Sequence, residues 1–119
     1  MRRMTASGEW RCRAADIAPG QTAKFRLECG GRPLEGFVVN HAGRYRAYVN
    51  RCRHVGTPLD LWPNEFFSDD GRSLICSTHG AVYDPDTGVC TAGPCTGDAL
   101  EPLRLRVDGD TLVVGCPPA

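Results

Sequence analysis

The sequence has no apolar run near the ~20 residues that a membrane-crossing helix needs, and no low-complexity tract. A membrane role is therefore not expected. Charge of either sign is not in excess: Lys plus Arg and Asp plus Glu are 14 each. Aromatics make up 8% of the chain and no basic patch interleaves with them, so nucleic acid is not an expected partner. Neither a Gly-x-Gly-x-x-Gly stretch nor a Walker-type loop occurs, so nothing points to a nucleotide cofactor. No segment of ten or more residues carries a convincing helical stripe. The N-terminal "MRRMTASGEW" has two arginines without a following apolar stretch; it does not read as a signal peptide, and the expected location is cytoplasmic.

What is present is cysteine, glycine and proline. Seven cysteines are many for 119 residues. In a reducing compartment they point to metal ligation plus a few buried thiols, and the odd count fits a closed disulfide set poorly. Gly and Pro total 23 and are spread evenly, as turns between short strands require. Residues 9–17 read as a first strand, ending in a turn at Pro19-Gly20. "TAKFRLE" (22–28) alternates Ala23, Phe25 and Leu27 with polar residues, the period of a half-buried strand. Hairpins are expected where 36–40 and 44–50 flank "HAG", across 66–76 with Asp70-Gly71 at the turn, across 81–90, and across 102–115 around Asp108-Gly109-Asp110. In the last, Leu103, Leu105 and Val107 face one way and Arg104 and Arg106 the other. The expectation is one all-β domain over residues 1–119, an antiparallel sandwich or barrel.

Only three histidines occur, and two follow cysteines closely: Cys52-x-His54 in "RCRH" and Cys76-x-x-His79 in "CSTH". Each pair is followed by a glycine, Gly56 and Gly80, that lets the backbone fold tightly around an ion. Twenty-one residues separate His54 from Cys76, enough for two loops at the tips of neighbouring hairpins to close on one site. Buried thiols and surface imidazoles account for such residues singly, but less well for two matched pairs. Two metal readings fit the four ligands: a structural tetrahedral zinc, or a two-iron, two-sulfide cluster with cysteines on one iron and histidines on the other. Ligand chemistry alone hardly separates them.

"CRHVG" followed by "CSTHG" resembles the Rieske iron–sulfur motif, and the stretch from Leu74 to Val114 resembles the second half of a Rieske ferredoxin-type domain. The Gly93-Pro94 turn resembles that family's proline loop. The resemblance implies a β-sandwich or barrel carrying a cluster-binding subdomain of two hairpin loops at about 50–96. It implies a [2Fe-2S] cluster with Cys52 and Cys76 on the buried iron and His54 and His79 on the outer one. It also implies that Tyr83 donates to a ligand sulfur, or else packs as a core aromatic, and that Ala81 stands where high-potential members carry a serine. Thr57 and Thr78 stand where respiratory members carry a disulfide, and His41 alone cannot supply the two-histidine iron site of an oxygenase subunit. The implied function is that of a ferredoxin, an electron carrier and not an enzyme, working between a flavin-dependent reductase and a terminal oxygenase-type enzyme. A reductase small subunit, like that of nitrite reductase, and a zinc-stabilised interaction module are the alternatives.

Several residues are read more modestly. Cys90 and Cys95 flank the proline loop and are expected as a reduced pair; Cys12, Cys29 and Cys116 are expected to pack as small residues. Trp62, Phe66 and Phe67 either shield the cluster or fill the core between loops, and Arg53 faces solvent, with or without an acidic partner.

Overall fold

The computed structural model describes residues 8–51, 59, 66–68, 71–76, 80–93 and 96–118. The strands are β1 (Glu9–Arg13), β2 (Thr22–Cys29), β3 (Arg32–His41), β4 (Arg44–Val49), β5 (Leu74–Cys76), β6 (Ala81–Tyr83), β7 (Cys90–Ala92), β8 (Arg104–Asp108) and β9 (Thr111–Gly115). All ladders are antiparallel and form three sheets, β1-β9-β8, β2-β3-β4 and β5-β6-β7. The fold is all-β, as expected.

Two of the sheets combine into a barrel. Val49 N–H donates to Glu101 O and Leu103 N–H donates to Ala47 O, both at 2.9 Å, so the approach to β8 pairs with β4. On the other side Trp10 of β1 stacks on Phe25 of β2 with ring centroids 4.6 Å apart. The third sheet, β5-β6-β7, lies in the segment between β4 and β8 and builds a separate subdomain against the barrel.

β3 explains how the two halves meet. Phe37, Val38 and Val39 are all fully buried, so this strand has no solvent face. With a side-chain period of two, Val38 enters the barrel core with Phe25, Leu27, Val49, Leu112 and Val114. Phe37 and Val39 point the opposite way, into a second core with Tyr48, Phe66, Leu74, Cys76, Ala81 and Tyr83. The turn after β3 is the "HAG" expected from sequence: His41 pairs with Arg44, leaving Ala42 and Gly43 at φ 55° and 87°, the geometry of a tight two-residue hairpin.

The structure corrects four expectations. The first strand ends at Arg13, and a 3₁₀ turn follows at Ala14–Asp16. Barrel residues hold that turn: Tyr45 Oη donates to Ala14 O and Asn40 Nδ2 donates to Ile17 O, each at 2.8 Å. β3 begins four residues earlier than the apolar stretch suggested, because Arg32–Leu34 pair with Leu27–Cys29 of β2. Val107 is 57% exposed, unlike Leu103, since it sits one residue from the hairpin tip and beyond the barrel wall. Finally, Cys29 and Cys116 are not separate packing residues. They form a disulfide, Cα atoms 5.8 Å apart, tying the end of β2 to the segment after β9. Cys12 does pack against the barrel core, where burial, with Asp16 nearby, pushes its thiol pKa up.

Candidate metal centre

The β5-β6-β7 sheet places one ligand candidate firmly. Cys76 ends β5 opposite Ala81 at the start of β6, and Leu74 lies opposite Tyr83. Tyr83 in turn lies opposite Cys90 of β7. These five side chains share one face, and all are buried to within 1%. Gly80 N–H donates to Cys76 O at 2.7 Å, and Gly80 takes φ 73°, a conformation that glycine adopts without strain. Cys76 is thus held in a dry apolar face at the end of β5. That setting suits a thiolate whose charge is neutralised by metal and does not suit an exposed reactive thiol.

Two further contacts lie close in sequence to the two Cys–His motifs. Asn50, just after β4, is 6% exposed and fully used. Its Nδ2 donates to Glu35 Oε1 and its Oδ1 accepts from Leu59 N–H, both at 2.9 Å. Gly93 approaches the second loop: a β-carbon there would lie 2.9 Å from both Ala81 Cα and Gly80 O. The turn preceding Pro94 therefore packs backbone against backbone beside Gly80.

The subdomain is also tied to the barrel through the β6–β7 turn. Tyr48 Oη donates to Pro85 O at 2.8 Å, and burial pushes its phenol pKa up to about 12. Arg44 donates to both Asp86 carboxylate oxygens, at 3.2 and 2.8 Å, and Arg46 Nε donates to Asp86 O at 3.1 Å. The Arg44 hydrogen bond holds the Asp86 carboxyl below its ordinary pKa, with His41 adding to the effect.

Of the four ligands expected from sequence, Cys76 is described here; Cys52, His54 and His79 lie outside the described residues, as do Arg53, Thr57, Trp62, Asp70, Thr78, Pro94 and Cys95. Phe66 is fully buried and stacks on Phe37 at 4.1 Å, filling the seam between the halves. Phe67 packs at the edge of the same core. Tyr83 and Ala81 share the face of Cys76, and Cys90 donates its thiol to Ala92 O at 3.2 Å. Sequence reasoning missed Asn50 and the Asp86 contacts. Their only signal was polar residues next to strand ends.

A family model described as the Rieske [2Fe-2S] domain matches residues 9–114. The chain belongs to the Rieske [2Fe-2S] domain family. The cofactor of this Rieske domain is a [2Fe-2S] cluster, and the buried Cys76 fits it. Among curated proteins, oxidoreductase NdmD of Pseudomonas putida is 39% identical over 67 residues, covering 56% of this chain but 10% of that protein. The matched stretch thus spans about a tenth of that relative. Among solved structures, the ferredoxin of carbazole 1,9a-dioxygenase from Nocardioides aromaticivorans IC177 superposes with a TM-score of 0.70 at 26% identity, covering 92% of this chain and 99% of that one. A complex of reduced oxygenase and oxidized ferredoxin in carbazole 1,9a-dioxygenase matches with a TM-score of 0.74 at 23% identity, covering 96% and 98%.

Proposed function

We propose that this protein is a ferredoxin passing one electron from a flavin-dependent reductase to a terminal oxygenase-type enzyme in the cytoplasm. The match to a dioxygenase ferredoxin over nearly all of both chains carries the reading. In it, residues 1–119 act as a single domain whose cluster-binding part spans about 50–96. Cys52 and Cys76 hold the inner iron, and His54 and His79 hold the outer one. When bound, the cluster accepts and returns one electron, at a higher potential than an all-cysteine cluster because neutral imidazoles replace two thiolates. The chain's own residues do the rest. The apolar face around Cys76 keeps water from the inner side, Asn50 and Gly93 fix the two loops, and Tyr83 stands on the face of Cys76 as a donor candidate toward sulfur.

Metal and sulfide analysis of anaerobically purified protein tests the reading. Two irons and two labile sulfides per chain are expected, with a reddish-brown colour. Stoichiometric zinc without sulfide would overturn it. So would substrate oxidation by the isolated chain.

A further inference from the structure

His41 is the histidine outside the two ligand motifs, and it stands at the seam of the molecule. It is the last residue of β3, on the barrel. Its Nδ1 lies 3.3 Å from Asp86 Oδ1, and because a carboxylate can only accept, the ring donates. Its ring also lies beside Phe67, with centroids 6.4 Å apart. Asp86 belongs to the turn that follows β6, whose first residue faces Cys76. Phe67 bridges to Leu74, two residues before Cys76. One imidazole therefore meets residues from before β5 and after β6, on both sides of the Cys76–His79 motif in sequence. Its side chain is 24% exposed, so it adds little to either core.

We propose that His41 is a positioning residue for the cluster, holding the two flanks of the second ligand loop in register against the barrel. Arg44 shares the task by donating to both carboxylate oxygens of Asp86. The proposal rests on the functional reading above, so the iron and sulfide content of wild-type protein is measured first. Protein without them overturns both.

The variants are His41→Ala, His41→Gln and Asp86→Asn. The readouts are visible circular dichroism of the cluster, its midpoint potential, its rate of loss at fixed temperature, and the thermal midpoint of the protein. His41→Ala is expected to load the cluster, change its dichroism and midpoint potential, and lose it about two- to fivefold faster, the range open to a partly exposed polar contact. His41→Gln keeps a side-chain N–H donor for Asp86 and should restore most of the difference. Asp86→Asn keeps the shape but weakens both grips, and should fall between, which also serves if His41→Ala does not fold. A lower thermal midpoint with unchanged cluster dichroism, potential and loss rate would make His41 structural only and overturn the proposal. So would a glutamine variant no better than alanine.

Discussion

The side-chain oxygen of Asn50 accepts the backbone N–H of Leu59 at 2.9 Å, a bond between residues nine apart that stand on either side of the first Cys–His motif in sequence. Asn50 also donates to Glu35, so neither end of its amide is idle. Asn50→Ala strips a partner from a buried N–H, a loss of about 1–3 kcal/mol. Denaturant unfolding should show that loss, and iron per chain should fall with it. Unchanged iron retention would mean that the Asn50–Leu59 bond does not hold the loop.

Gly93 sits at φ 98° with the backbone of Gly80 and Ala81 against it. A methyl group there meets backbone, which cannot swing aside. Gly93→Ala should cost about 1–3 kcal/mol from overpacking and the strained φ together. It should shorten the lifetime of the bound cluster, read by the decay of visible absorbance. A lifetime equal to wild type would remove Gly93 from the loop's support.

Ala81 faces Cys76 across the ladder and is fully buried. A serine there brings a donor to the ligand face, where it stabilises the added negative charge of the reduced state. Ala81→Ser should raise the midpoint potential. One such bond, about 1.4 kcal/mol, corresponds to ~60 mV for a single electron. The wild-type midpoint should lie toward the low end of the Rieske range, roughly −150 to +300 mV. Voltammetry at neutral pH tests both statements; an unchanged or lower midpoint in the variant counts against the hydrogen bond.

The Cys29–Cys116 disulfide closes a loop of 87 residues. On the chain-entropy model a loop that long restrains the unfolded state by about 4–5 kcal/mol. Dithiothreitol should lower the denaturant midpoint of wild type and leave Cys29→Ser untouched. The visible spectrum should not change in either case, since the bond lies away from the Cys76 face.

Tyr48 gives the stability an alkaline limb. Its folded pKa of about 12 exceeds the value near 10 of an unfolded tyrosine. Between those values the folded state binds more protons, so stability falls as pH rises through that window. Tyr48→Phe should flatten the fall and cost ~0.5–1.5 kcal/mol at neutral pH through the lost bond to Pro85. Asp86 acts at the acid end: its folded pKa is lowered, so its stabilisation is complete above ~3.9 and is lost as pH falls through the folded value.

What could be read from sequence was local. Alternation over 22–28 marked β2, and the glycines of His41-Ala42-Gly43 and Asp108-Gly109 marked two hairpin turns, because side-chain period and positive φ are properties of neighbouring residues. The paired "CRHVG" and "CSTHG" carried the family resemblance, and of their four candidate ligands the structure describes Cys76, which is buried. What was missed depends on distant partners. The first strand ends at Arg13 because Tyr45 and Asn40 capture the next residues. Cys29 meets Cys116 only through the closure of the barrel, and no spacing rule signals a contact 87 residues apart. Asn50 and His41 look like ordinary polar strand ends until Glu35 and Leu59 are packed beside the one and Asp86 and Phe67 beside the other.

β3 separates the two cores and belongs to both, with Phe37 and Val39 on one side and Val38 on the other. Neither half can be melted alone without exposing a face of the same strand to water. Barrel and inserted hairpins should therefore open in one cooperative step, with the slowest amide exchange along Phe37–Val39. The described strands of the two halves thus have one fate on unfolding, set by the strand they share.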